Sequence, residues 1–400
     1  MTLMYAYPPA TRGRLIVWGL LGSYPFGGMT WQVLHYVAGF RHLGYDVWYV
    51  EDSDRYLLNA NDFSRTSDVR TNVEFLARHM KAIGLEDRWV FRPPRDAAAT
   101  CGALDFEGLR RLYRDADAVI NLCGAQELLP WHDAVRCLVY VQTDPVSDQV
   151  AVASGDERKT SELRAYDHLF TYGENLGEAD CRVPADGFTW HKTRPPVCVD
   201  WWEDAPPLLG GAALTSVLKW QHEAKDVQWQ GETWHWSKHR EFRRFLAVGE
   251  RSSLPLELAI SSVPGRDLGE LRDHGWRTRP SASVSDPGAY RDYIRSSIGE
   301  FTASKEQYVV PRSGWFSDRS VCYLASGRPV ITQETGFSKY IPTGEGLLAF
   351  STVEEAAAAI EAVSGDYALQ SRRANEIARA YFGADRVLRD MVELIERVAV

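Results

Sequence analysis

The stretch 312–337, RSGWFSDRSVCYLASGRPVITQETGF, concentrates residue types that hold anions. Ser317 and Asp318 are strong helix caps, and the helix they open aims its free NH groups and positive dipole end out of a sheet. A phosphate is stabilised at such a place. Arg319, in the first turn, adds a planar fork of donors suited to a pyrophosphate. Gly327 ends the helix and RPVITQE supplies the next strand. Glu334, Thr335, Gly336 and Phe337 follow at that strand's carboxyl end, where a carboxylate, a hydroxyl and backbone NH groups could hold the hydroxyls of a sugar. The same residues also fit a capped helix with a surface arginine and a glycine turn.

A carboxylate placed for proton transfer is the second feature. Asp144 closes the strand-like run RCLVYVQTD and precedes Pro145, so it should project from the carboxyl edge of a sheet. With a raised pKa it could serve as a general base. Glu174 and Asn175, after HLFTYG, occupy the analogous edge of the next strand, and His191 and Arg194 near a later linker could reach an anion. The loop from Gly22 to Gly28 joins the first strand to the first helix, and Gly27-Gly28 lets a ligand approach backbone NH groups. It is not GxGxxG, so the acids Glu51, Asp52 and Asp54 after the second strand lack a dinucleotide fingerprint.

Metal chemistry has weaker support. His235 and His239 stand four apart without a third ligand at a recognisable spacing. Asp52-Ser53-Asp54 and Asp115-Ala116-Asp117 have the DxD form, which arises by chance in an acidic chain. No metal site is expected. GxSxG, Walker A and HExxH are absent.

These side chains need sheets to position them. RLIVWGLLG, MTWQVLHYVAGFRHLG and YDVWYVED read as strand, helix and strand, and apolar runs at 117–124, 136–144 and 168–174 continue the pattern as a parallel sheet covered on both faces. The segment 194–213 gathers Pro195, Pro196, Pro206, Pro207 and Gly210-Gly211, which stops both helix and central strand. The alternation restarts with LTSVLKWQ and runs to an Ala-, Glu- and Arg-rich helical tail. A length of 400 residues suits two domains, 1–205 and 206–400.

With 45 Lys and Arg against 54 Asp and Glu, the net charge is −9, and no basic run is long enough to track a phosphate backbone. Nucleic acid is not expected as a partner. Six cysteines without a CxxC pair, and an amino terminus lacking the apolar run of a signal peptide, point to a reduced, cytoplasmic protein. LIVWGLLG is far too short to cross a bilayer, so no membrane span is expected. The 14 Trp suit either stacking surfaces or core filling.

From Gly314 through Phe337 the chain resembles the donor-binding region of nucleotide-sugar glycosyltransferases of the two-domain GT-B fold, in particular the bacterial group-1-like and CgeB-like branch. The matching residues are Arg319 before a helix, Ser326-Gly327 at its end, and Pro329-Val330 entering a strand. More loosely the resemblance covers the GG loop, YVQTDPVSDQ, the linker and LKWQ…WHWSKHREF. It implies an α/β fold of two Rossmann-like doubly wound domains facing a cleft. It further implies an enzyme that moves a sugar, without metal or cofactor, from a nucleoside diphosphate sugar to a hydroxyl or amine of a small-molecule or glycan acceptor.

On that resemblance Lys238, and after it Lys219, neutralise the diphosphate alongside Ser317, Asp318, Arg319 and Glu334 to Phe337. Gly27, Gly28 and Trp31 would face the acceptor, Asp144 or else Glu174 would take its proton, and Trp276 is a candidate to stack on the base. The Glu-x7-Glu pair of many retaining members is missing, with Gly314 and Cys322 at the equivalent spacing, so inversion and retention both stay open. A nucleotide-sugar epimerase of the same fold and a non-catalytic nucleotide-sugar-binding protein are the alternatives.

Overall fold

A computed structural model describes residues 7–398 apart from 97, 204, 223 and 224. Arg14–Trp18, Asp46–Asp52, Trp89–Arg92, Ala118–Leu122, Leu138–Gln142, His168–Thr171 and Trp190–Lys192 form one parallel sheet, with Cys101–Gly102 added antiparallel at its edge. Numbered along the chain, the parallel strands lie in the order 3-2-1-4-5-6-7. A second sheet is built from Leu214–Lys219, Leu256–Ser261, Arg277–Pro280, Gly299–Thr302, Val330–Gln333 and Leu347–Phe350. Its order is 3-2-1-4-5-6, and every pairing is parallel.

Both are doubly wound sheets, and each has a switch point where the winding reverses beside its first strand. The central strands are buried on both faces, which is why they read as continuous apolar runs rather than alternations. RLIVWGLLG leaves the sheet after Trp18 because the following residues are drawn into a loop. There Glu51 accepts from the NH groups of Gly22 and Ser23 and from the Tyr49 hydroxyl.

The helical spacing of SKHREFRRFLAVGE, 237–250, predicts one helix, but the structure has two short pieces, His239–Arg243 and Val248–Arg251, preceded by a hairpin, Val227–Trp229 with Glu232–Trp234. The tail differs too. Its last helix, Ala384–Val398, was expected with the second half of the chain. It instead buries Leu388, Met391, Val392 and Ile395 in the core of the first sheet, against the helix Gly27–His42. Gly39 permits this approach, since a Cβ there would lie 2.6 Å from Leu388 Cδ1. The chain therefore crosses between the sheets twice. The crossings are bonded together, with the Val197 NH donating to Phe382 O (2.8 Å) and the Ala384 NH to Val197 O (3.0 Å).

Candidate functional site

At the switch point of the second sheet, between Leu214–Lys219 and Gly299–Thr302, three cations converge. Arg319 reaches back from the first turn of the helix Asp318–Ala325. Its Nε donates to Glu300 Oε1 (2.5 Å), Nη1 to Val217 O (3.0 Å) and Nη2 to Thr302 Oγ1 (3.1 Å). Glu300 is fully buried inside its strand, and its Oε2 has no hydrogen-bond partner among the described residues. Lys238 Nζ donates to the same Thr302 hydroxyl (3.3 Å) and to Ala303 O (3.1 Å). Burial first, and the neighbouring Arg319 charge second, push the Lys238 ammonium well below its ordinary range.

The third cation is Lys305, three residues beyond the strand's end. Nζ lies 3.2 Å from the centre of the Trp236 ring and donates to Tyr308 Oη (3.0 Å) and to Asp144 Oδ1 (3.1 Å). Asp144 does stand at the carboxyl edge of the first sheet, as expected, and faces the second. Its expected raised pKa is corrected. Burial pushes it up, but Lys305 and the hydroxyl of Tyr308, which also donates to Oδ1, outweigh burial and hold the carboxyl below the usual range. Burial pushes Lys305 down to about 8 against the opposing pull of Asp144.

Asp144 borders a cavity of about 410 Å³, bounded on one side by Cys123, Gly124, Gln142 and Asp148 of the first sheet's edge and on the other by Lys225 and Trp236. The aromatic rings of Trp236, Tyr308 and Trp315 pack together beside Lys305. Tyr308 and Trp315 are stacked at 4.3 Å, and the Trp315 indole NH donates to Thr143 O (2.9 Å) across the gap.

The other candidates sort by what already engages them. Ser317 caps its helix, its Oγ accepting from the Arg319 NH (3.2 Å). Asp318 is turned to the helix Gly27–His42, where Gln32 donates to it at 3.4 Å, and burial raises its pKa. Glu334 accepts from the Gly336 NH, the Thr335 hydroxyl donates to Trp315 O (2.6 Å), and Phe337 packs on Phe316. Gly336 has φ +101°, and a Cβ there would meet Arg312 O and the Asn175 amide at 3.1 Å. Lys219 is exposed on a shallow surface beside Gln221 and Pro264. Glu174 is closed off by a fork from Arg194 (both Nε distances 2.9 Å), and burial raises its pKa.

Gly27 and Trp31 are engaged by other parts of the protein, and Gly28 is half-buried. The Gly27 NH donates to Ser285 O (2.8 Å), the Trp31 indole NH donates to Pro287 O (2.9 Å), and Trp31 packs on Trp202. Beside them lies a void of about 10 Å³, room for one water, between Gly28, Tyr290 and Arg319. Trp276 is core, its NH spent on Leu246 O (2.9 Å), so no face is left for a base. His191 lies beside Phe170 in the edge strand of the first sheet.

Acids of both DxD triplets already have protein partners. Asp52 of the first DxD triplet is filled by Arg92, Tyr113 (3.1 Å), Trp131 (2.7 Å) and His132 (3.0 Å). His132 Nδ1 accepts from the Leu129 NH, which places the proton on Nε2, facing Asp52. Asp117 of the second triplet takes the Arg14 NH (2.7 Å). Among the described residues no group of three or more His, Cys, Asp or Glu could hold a metal ion, and no helix is long and apolar enough to cross a membrane.

Lys305, Tyr308, Trp236 and Glu300 were not singled out in the sequence. Glu300 carried a signal, an acid inside a buried strand, GEFT, that demands a cation. Lys305 carried a fainter one, the first charged residue past the end of a strand beside the switch point.

No family model matches the chain, and no curated protein matches it. Solved structures do. An alpha-glucosyltransferase in complex with UDP is similar at a TM-score of 0.58 and 12% identity, over 96% of this chain and 100% of that one. A sucrose-phosphate synthase from Thermosynechococcus elongatus matches at 0.56 and 12%, over 97% and 99%. A glycosyltransferase involved in avilamycin A biosynthesis matches at 0.55 and 13%, over 97% and 98%. Two doubly wound sheets with opposed carboxyl edges, joined by two crossings and matched end to end by these structures, give the chain the GT-B fold.

Proposed function

We propose that the chain transfers a sugar from a nucleoside diphosphate sugar to a small polar acceptor. The observation that supports this most is a pairing across one gap. The second sheet's switch point gathers Lys238, Lys305 and Arg319, and the carboxyl edge of the first sheet borders a cavity edged by the ionised Asp144. The diphosphate sits at the cations and the acceptor in the cavity, with residues 1–205 and 206–400 as the two domains and Ala384–Val398 returned to the first. The solved alpha-glucosyltransferase carries UDP on the same fold, which supports a uridine donor as the first to try.

Asp144 receives the acceptor's proton, and the cations hold the charge that develops on the leaving diphosphate, so no metal is required. A cavity of about 410 Å³ suits a sugar-sized acceptor rich in hydroxyls. Another solved relative is in complex with a 13-mer DNA, but a net charge of −9 disfavours that class of acceptor here. Six cysteines that form no disulfide suit a reduced, cytoplasmic setting.

The acceptor-side cavity favours transfer over epimerisation, which needs no second substrate. Thermal-shift titration with UDP, GDP, dTDP and CDP identifies the base, because a ligand of the folded state raises the midpoint. Incubating the matching sugar nucleotide with and without sugar acceptors then decides the chemistry. A glycoside formed only with acceptor supports the reading. An isomerised donor without acceptor, or binding without any turnover, overturns it.

A further inference from the structure

Each guanidinium nitrogen of Arg319 already donates inside its own domain, and Glu300 balances its charge. Lys238 is held by two neutral oxygens of the same segment. Asp318, at the amino end of the helix, places a carboxylate where an anion would otherwise rest. Lys305 differs from all of these. Its carboxylate partner, Asp144, belongs to the opposite domain and is 43% exposed to the cavity. A ligand that separated the two would leave an ammonium, seated on the face of Trp236, in need of an anion.

We propose that Lys305 is a further catalytic residue, whose ammonium exchanges the Asp144 carboxylate for the diphosphate of the donor and thereby frees Asp144 for the acceptor's proton. The inference rests on the transferase reading above. In the step itself the bond between the sugar's anomeric carbon and the diphosphate oxygen breaks, and its electron pair stays on that oxygen, which accepts from Lys305. The acceptor oxygen bonds to the anomeric carbon and its proton passes to Asp144, then to water. Sugar nucleotide and alcohol become glycoside, nucleoside diphosphate and a proton. Tyr308, still donating to Asp144, keeps the carboxylate in place through the exchange.

The test is calorimetry with the nucleoside diphosphate that binds best, starting from UDP, and with the matching nucleoside. Lys305→Ala should lose at least tenfold in diphosphate affinity with the nucleoside changed less than twofold, and Lys305→Arg should restore most of the loss. Asp144→Asn should tighten the diphosphate at least threefold, because it removes the competing anion, and this gain should vanish in the Lys305→Ala background. An equal gain in both backgrounds overturns the exchange.

Should Lys305→Ala not fold, reductive methylation of the unaltered protein, read by mass spectrometry, decides the same point. Protection of Lys305 by the diphosphate and not by the nucleoside supports the proposal, and unchanged labelling overturns it. If no nucleoside diphosphate binds the unaltered protein, the transferase reading falls and the proposal with it. If one binds and Lys305→Ala binds it equally, only the role of Lys305 falls.

Discussion

The two switch points share a topology and differ in chemistry. At the first, the loop after Trp18 is tied down by Glu51 and Tyr49, and Gln126 donates to Gly19 O (2.7 Å). Backbone NH groups that could have met an anion are spent on a buried carboxylate, which burial itself pushes towards the neutral form. At the second, cations from three segments converge, and the carboxylate partners of Arg319 and Lys305 lie deep in the sheet, as with Glu300, or across the gap, as with Asp144. The fold supplies two crevices. Which one can take an anion is decided by where the counter-charges are attached.

The sharpest way to break the comparison is to remove a counter-charge that cannot leave. Arg319→Ala strands Glu300, fully buried, without its cation. Breaking a buried pair from one side costs about 3–5 kcal/mol. The structure therefore expects loss of stability before any loss of anion binding, read as a lowered urea midpoint at unchanged slope. The double change Arg319→Met with Glu300→Gln should recover most of it. A folded Arg319→Ala protein of normal stability would mean that Glu300 is not held by Arg319.

Asp144→Asn probes the counter-charge that can leave. It keeps the shape and removes the proton acceptor, so turnover should fall by at least about 100-fold, the lower range of general-base catalysis. Stability should change little, because Asp144 is half-exposed and an ion pair that reaches solvent contributes about 0–1 kcal/mol. Steady-state kinetics on the variant decides this. Near-normal turnover with inversion at the anomeric carbon would make Asp144 a linking residue between the sheets. A product that retains configuration would remove the need for a protein base.

Much of this contrast is legible in the amino-acid sequence. The apolar runs mark the strands because parallel sheets buried on both faces leave a continuous signal, and Asp144 follows from standing at the end of one. Lys238 comes only through the resemblance. Trp31 is misplaced for a physical reason: a Trp on an apolar helix face looks the same in sequence whether it meets a ligand or, as here, the carbonyl of Pro287. The return of Leu388 and Ile395 to the first sheet is hidden because helical periodicity says which face is buried and nothing about against what.

Proton dependence sharpens the comparison further. The groups acting on Lys305 are Asp144 and Tyr308, which hydrogen-bond to it, and Lys225 and Asp318, which act at longer range. With its ammonium brought down to about 8, Lys305 is charged below that pH and neutral above it. Diphosphate affinity should thus be full below about pH 7 and decline by about tenfold per unit once the pH passes the pKa of the free protein. Bound diphosphate raises that pKa, so the decline levels off at higher pH. Lys305→Arg, charged throughout, should lose the part of the decline that comes from this position, and calorimetry across pH 6.5 to 10 separates the two.

The smallest effect tests whether the first switch point is closed because it is packed. Gly27 and Gly28 are neighbours in sequence, yet a Cβ on Gly27 would lie 2.8 Å from Tyr290 Cβ and 3.2 Å from Ser285 O, whereas one on Gly28 would meet the tip of the Tyr290 ring at ordinary contact distance, Oη nearest at 3.6 Å. The first contact is with main chain and with the root of a side chain, neither of which can swing away. Gly27→Ala should cost about 1–3 kcal/mol by overpacking the contact between the two domains. Gly28→Ala should be neutral to within about 0.5 kcal/mol, or slightly favourable, since alanine suits a helix better than glycine. Thermal denaturation of the two variants side by side reads the difference. Equal midpoints would mean that the domains stand apart at Gly27 in solution, and the acceptor surface first expected there would be open after all.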